Sequence, residues 1–315
     1  MDTQVAFRGG EFMPRPFRFG VNLLTSAPAD EWRAKCRRAE ELGYDVILVP
    51  DHLGMVAPFP ALVAAAEATE RPRVGTFVLN AGFWNPTLLA REVTTTNDLT
   101  GGRLELGLGT GYVQAEHDTA GLPFGSPRER VDHLRYTVQE LERLLDAAEC
   151  RVPLLLGGNG DRMLRLTAAH ADIAAFTGAS LEPGSTTGKL APIDAAGFDQ
   201  RVARYREFAA DRTEPAELNL LIQQVAVTDD PASALKPLLD RRPDLSLDQV
   251  VDLPVMLIGT LEQITAKLRA LRDRHGFSYL TVLEPHLEAF APVMAELRRN
   301  PVAAHTHPLL GSPHE

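Results

Sequence analysis

The chain is poor in cysteine, has fewer basic than acidic residues, and contains no long apolar run. Only two cysteines, Cys36 and Cys150, stand among its 315 residues. Two are too few for a disulfide framework or, on their own, for a four-ligand zinc site. Lys and Arg number 32 against 42 Asp and Glu, a net charge of −10. The two signs alternate rather than cluster, so neither nucleic acid nor an anionic membrane is favoured as a partner. The apolar stretch at 59–66 (FPALVAAA) falls far short of the roughly 20 residues of a membrane helix. The opening residues lack the apolar core of a signal peptide, which makes the cytoplasm the expected compartment. Familiar reactive signatures are missing as well: no Gly-x-Ser-x-Gly elbow, no His-Glu-x-x-His, and no Gly-Lys-Ser/Thr. No carboxylate cluster suggests a metal.

What is present is an ordinary globular composition, 44% hydrophobic and 23% charged, arranged as strands alternating with helices. Strands are expected at 17–24, 45–50, 73–80, 103–111, 152–158, 172–178, 218–227 and 278–284. The first intervening helix is capped by Asp30 and buries Trp32, Cys36, Ala39 and Leu42 at helical spacing. The strongest runs over 126–146, with Ser126 as N-cap, Pro127 after it, and Val131, Leu134, Val138, Leu141 and Leu145 on one face. Segment 179–197, rich in Gly, Pro, Ser and Thr, reads as a long insertion loop suited to a lid. Eight such strands over this length point to an α/β fold, a (β/α)8 TIM barrel. One domain is expected over 1–315, with a core of about 17–298 and a tail at 299–315 that carries His305, His307 and His314. A doubly wound sheet would call for GxGxxG after the first strand, where the chain has Asn-Leu-Leu-Thr.

Function in a barrel gathers at the C-terminal strand ends. Those ends supply Asn22 and Thr25, then Asp51 and His52, then Asn80. Next come Thr110, Gly111 and Tyr112, with Glu116 and His117 just beyond. Gly157, Gly158, Asn159 and Gly160 follow the fifth strand, Thr177 and Gly178 the sixth. Gln223 and Gln224 lie on the seventh, and Glu284 and His286 follow the eighth. Glycines leading into a helix let backbone N–H groups approach an anion, although the same turn serves as a plain tight connection. His52, at a strand tip, suits proton transfer; a hydrogen-bonded structural histidine is the competing role. Cys36 and Cys150 fall at the opposite end of their βα units.

Five segments together carry a family resemblance: GVNL at the first strand, AEELGYDVILVPDHL (39–53), residues 74–121 with LELGLGTGYVQAEHD, VPLLLGGNGDRMLRLTAAHADIAAFTG (152–178) and VMLIGTLEQITAKL (255–268). The chain resembles the bacterial luciferase-like oxidoreductases over about 17–298, in particular the branch that uses the deazaflavin coenzyme F420. The resemblance implies an oxidoreductase that moves a hydride between deazaflavin C5 and a small organic substrate, by F420H2-dependent reduction of C=C, C=N or C=O. It places His52 beside the tricyclic ring with Asp51 in support, and a non-prolyl cis peptide near Val78, Leu79 and Asn80. It assigns the cofactor phosphate to Gly157, Gly158, Asn159, Thr177 and Gly178. His52, Tyr112 and Glu116 are the candidate catalytic residues. Two departures stand against a sugar-phosphate substrate: Tyr112 where that branch carries a glutamate, and Ser180 where it carries a lysine. The alternatives are an FMN-dependent monooxygenase using reduced flavin and O2, or a flavin-binding barrel without catalysis. A homodimer, and a reductase supplying reduced F420 or flavin, are the expected partners.

Overall fold

The computed structural model describes residues 15–182, 184–242 and 245–299. Eight parallel strands form the barrel: β1 (Arg18–Asn22), β2 (Val46–Val49), β3 (Arg73–Thr76, resuming at Leu79–Asn80), β4 (Leu104–Gly109), β5 (Leu154–Gly157), β6 (Ile173–Phe176), β7 (Glu217–Ile222) and β8 (Phe277–Leu283). The ring closes where β1 meets β8, with Val21 opposite Val282, and where β3 meets β4, with Val74 opposite Leu104. This is the TIM barrel expected. Its strands are almost continuously buried because helices cover the outside while side chains fill the inside.

The helices are α1 (Ala29–Leu42), α2 (Pro58–Ala68), α3 (Pro86–Leu99), α4 (Gln114–Ala120), α5 (Pro127–Ala147), α6 (Asp161–His170), α7 (Ala195–Phe208), α8 (Pro231–Arg241), α9 (Leu247–Asp252), α10 (Leu261–His275) and α11 (Ala291–Arg299). Ser126 does cap α5, in a capping box with Glu129. Asp30 does not cap α1: Pro28 holds the N-cap position, and Asp30 lies in the first turn paired with Arg33.

Packing divides into two regions. One lies between barrel and helices, around Phe19, Leu62, Leu89, Leu134, Leu268 and Phe290. The other fills the barrel itself with Val46, Leu48, Phe77, Leu155, Ile173, Leu221 and Tyr279. Its floor is ionic. Arg18 binds Glu105 and, at 2.6 Å, Glu217, while Arg73 lies 2.8 Å from Glu105. The Arg18 guanidinium also covers the Tyr279 ring at 4.0 Å.

Four features shape the mouth, the first of them the non-prolyl cis peptide that the family resemblance implied near Val78 and the other three departures from the sequence expectation. The third strand is not continuous, because the Phe77–Val78 peptide is cis. Phe77 and Val78 therefore both join the interior, where an unbroken strand would alternate. β4 makes room for this with glycine: a Cβ on Gly107 would lie 2.1 Å from the Thr76 carbonyl oxygen. Second, the expected loop at 179–197 carries an antiparallel hairpin, Ala179–Leu181 with Leu190–Pro192, before α7 begins. Third, the seventh strand ends at Ile222, and Gln224–Val227 instead pairs with Met256–Gly259 outside the barrel. Fourth, α4 stands where no helix was expected. The tail with its three histidines, residues 300–315, lies outside the described residues, as do residues 1–14. Among the described residues no helix is long and apolar enough to cross a membrane.

Candidate active site

Three of the strand-tip residues converge. His52 follows β2, Tyr112 follows β4, and Glu116 lies in the first turn of α4. The Nδ1 atom of His52 is 2.8 Å from Glu116 Oε1, so an N–H there donates to the carboxylate. With Nδ1 protonated, Nε2 is the acceptor, and the Tyr112 hydroxyl donates to it over a long 3.4 Å. The two rings meet edge to face with centroids 5.5 Å apart. Burial pushes the Tyr112 hydroxyl above its ordinary pKa, and the Glu116 charge adds to this. The result is a directional chain in which a carboxylate orients an imidazole and the imidazole faces a phenol. Such a chain can hold a proton at Nε2 and pass it on.

Asp51 sits next to His52 without orienting it. Its Oδ2 accepts from the Trp84 indole N–H at 3.0 Å and from the Asn80 backbone N–H at 3.2 Å. Burial raises its pKa, while these two bonds and the neighbouring His52 oppose the rise. The carboxylate that fixes the imidazole is thus Glu116. In the sequence the adjacent aspartate was the natural choice, because nothing local announces that α4 folds back over β2.

The residues expected around a cofactor divide between the two sides of the mouth. Val78 faces the barrel interior, whereas Leu79 is wholly buried against the helices. The Asn80 side chain is committed elsewhere, to His117 at 2.9 Å and to the Gly82 N–H at 3.0 Å. Asn22 donates to the Phe77 carbonyl at 3.3 Å, which ties the end of β1 to the cis peptide. Across the mouth, Gly157, Gly158, Asn159 and Gly160 lead into α6. Gly160 is its N-cap, and no side chain closes that first turn. Asn159 and the Thr177 hydroxyl both donate to the Ala179 carbonyl and so secure the base of the hairpin. Gly178, at φ +61°, packs its backbone so closely on Val255 that a Cβ would lie 2.3 Å from it. Gln223 and His286 continue the network: Gln223 donates to the Thr177 carbonyl at 3.3 Å, and His286 Nε2 donates to that of Gln223 at 3.2 Å.

The hairpin reaches back over the side of the mouth that holds Tyr112 and α4. Thr186 accepts from the Ala115 N–H at 3.1 Å, and a Cβ on Gly188 would fall 2.8 Å from the Tyr112 ring. Sequence reasoning missed Phe77 and Gly188. The first lies one residue before the stretch to which the resemblance assigned a cis peptide, the second among many loop glycines.

A cavity of about 800 Å³ opens at the other end of the barrel, lined by Arg73, Cys150, His170 and Asp172 among others. Its histidine is paired with Glu142 at 2.8 Å. Being at the N-terminal strand ends, it is remote from the converging groups. Among the described residues no three potential metal ligands come together.

A family model described as luciferase-like monooxygenase matches residues 13–245. The F420-dependent glucose-6-phosphate dehydrogenase of Intrasporangium calvum is 38% identical over 118 residues, 34% of this chain and 35% of that one. The 5,10-methylenetetrahydromethanopterin reductase of Methanolobus tindarius is 26% identical over 170 residues, 49% of this chain and 52% of that one. The chain thus spans about half or less of the length of these relatives. An F420-dependent secondary alcohol dehydrogenase, solved with an F420-acetone adduct, superposes with a TM-score of 0.67. That likeness covers 90% of this chain and 100% of the other at 17% identity, and is one of fold.

Proposed function

We propose, from the premise that the chain belongs to the luciferase-like monooxygenase family, that it is an F420-dependent oxidoreductase acting on a small, neutral organic substrate. The observation that carries this reading is the Glu116–His52–Tyr112 chain at the mouth, beside the cis-peptide bulge and opposite an open helix N-terminus. These features fit a phosphate-bearing deazaflavin. The turn from Gly157 to Gly160 and the first N–H groups of α6 would take the phosphate, and the face at Val78 would back the ring. The F420-dependent glucose-6-phosphate dehydrogenase of Intrasporangium calvum is named for the same cofactor.

When bound, F420 supplies the hydride-carrying carbon. The chain's own residues orient the substrate, exclude water and manage one proton. Glu116 orients the His52 ring through the Nδ1 contact, so that Nε2 can hold a proton and release it toward the oxygen, nitrogen or carbon at the far end of the double bond from the carbon that gains the hydride. Tyr112 stands at that atom and either relays the proton or shapes the space in front of it. We assign the chain F420H2-dependent reduction of a C=C, C=N or C=O group.

The lysines among the described residues are each paired, which agrees with a neutral substrate without requiring one. Lys35 binds Glu284, Lys189 binds Glu182, Lys236 binds Asp240, and Lys267 donates to the carbonyls of Val251, Leu253 and Met256. Large exposed apolar side chains stand in the same segments: Leu53 and Met55 after His52, Tyr112 itself, and Leu190 on the hairpin. A homodimer and a reductase supplying the reduced cofactor belong to this reading as proposals. The rival within the family is an FMN-dependent monooxygenase. The test follows F420H2 oxidation over a panel of neutral unsaturated compounds, with O2 uptake in the presence of FMN and a flavin reductase as the opposing arm. Turnover in the first arm supports the reading; turnover only in the second overturns it.

A further inference from the structure

Both partners of His52 hang from one short stretch, residues 110–120. Tyr112 follows Gly111, and Glu116 precedes His117 on α4. That helix has seven residues, and neither Val113 nor any other side chain caps its N-terminus, so tertiary tethers must hold it. The most buried of these tethers is His117, which is only 1% exposed. Its ring lies between Phe83 and Phe124, at centroid distances of 5.0 and 5.1 Å.

The polarity of the His117 bonds follows from Asn80. The Asn80 amide oxygen accepts from the Gly82 N–H at 3.0 Å, so the amide NH2 is the end that meets His117 Nε2 at 2.9 Å. Nε2 is therefore bare, and Nδ1 carries the proton that is donated to the Pro123 carbonyl at 3.0 Å. Asn80 also fixes the other partner. Gly111, at φ +69°, rests directly on the Asn80 amide, where a Cβ would lie 2.3 Å from Oδ1. The chain thus turns over Asn80 on its way to Tyr112, then returns to Asn80 through His117.

We infer that the buried Asn80–His117 bond is a positioning device that holds both Tyr112 and Glu116 against His52 without touching substrate or cofactor. The inference adds to the proposed function, but its geometric part does not depend on which cofactor the chain uses. His52 is faced by Glu116, Tyr112 and Asp51. Loss of the Asn80–His117 bond frees α4, and with it the Nδ1–H···Oε1 contact.

The experiment uses the full chain, 15N-labelled at histidine, with and without F420. It follows the His52 Nδ1–H resonance, assigned by its disappearance in His52→Gln. His117→Phe keeps the aromatic packing and removes both hydrogen bonds. His117→Gln keeps an acceptor for Asn80. The His52 signal should vanish in His117→Phe and persist in His117→Gln. Turnover should fall about a hundredfold in the first, as misplacement by about an ångström can cause, and stay within several-fold in the second. Asn80→Ala, which removes the donor to Nε2 without supplying a carboxylate that a protonated His117 could bind, should behave as His117→Phe and serves if that variant does not fold. An unchanged signal in folded His117→Phe or Asn80→Ala overturns the inference. Equal loss in His117→Phe and His117→Gln, with fold intact, overturns it too, because the imidazole itself rather than the bond would then set the helix. A retained signal pattern without F420 turnover would instead count against the functional reading alone.

Discussion

At the scale of single residues, the His52 ring owes its orientation to a carboxylate that arrives from 64 positions further along the chain. Replacing it with glutamine should lower turnover by about a hundredfold or more while F420 affinity stays within a few-fold. Steady-state kinetics beside a binding titration check this, and an equal loss of both would make His52 a cofactor ligand. Asp51 makes a different prediction. Its pKa is raised by burial, so the fold favours its protonated form, and its ionisation subtracts stability as pH rises past the ordinary carboxyl value. Asp51→Asn should therefore be more stable than the parent at neutral pH, with the advantage fading in acid; thermal melts across pH 3–8 measure it. His52, Tyr112 and Glu116 were legible in the sequence because strand tips of a barrel can be located by counting strands. The commitment of Asn80 was not, since its partner His117 lies 37 positions further along, beyond α3 and β4.

At the scale of elements, the parts that sequence periodicity could not reveal are those around the mouth. α4 spans two turns of mostly polar residues, QAEHDTA, and has no apolar stripe to betray it. Each strand of the 179–192 hairpin has three residues embedded in Gly- and Ser-rich sequence, which reads as a loop. The break in β3 leaves no mark in the periodicity of RVGTFVLN and was expected only through the family resemblance. Long amphipathic elements such as α5 were clear because their period extends over several turns. The hairpin also yields a prediction. Gly188 has φ +79° and lies against Val113 and Tyr112, where a Cβ would come within 2.6 Å of the Val113 side chain. Gly188→Val should lift the hairpin tip, raising KM for substrate by about tenfold with little change in melting temperature.

At the scale of the whole molecule, the barrel is fastened by ions at both ends. On the floor, Arg18 joins β1 to Glu105 of β4 and Glu217 of β7. Arg18→Met would leave buried carboxylates short of a partner and should cost about 3–5 kcal/mol, measured by denaturant unfolding. At the mouth, Glu284 accepts from the backbone of Leu24 and Thr25, the Thr25 hydroxyl and Lys35. Burial alone would raise its pKa, but these donors hold it below the ordinary glutamate value. Its contribution is therefore full above the unfolded pKa and lost as pH falls through the lowered one. Glu284→Gln should cost about 2 kcal/mol at neutral pH and progressively less in acid. The global topology was legible from the repeat of strand and helix. The closing clamps were not, because their residues are brought together only when the first strand meets the last.

The central claim is the cofactor, and an anaerobic titration with F420 and, separately, with FMN tests it most directly. The chain has two tryptophans; Trp84 donates to Asp51 beside the proposed ring site and Trp32 is buried under α2, so fluorescence should report binding at Trp84. The account predicts saturable quenching at micromolar or lower F420, and much weaker binding of FMN. Preferential binding of FMN would contradict it.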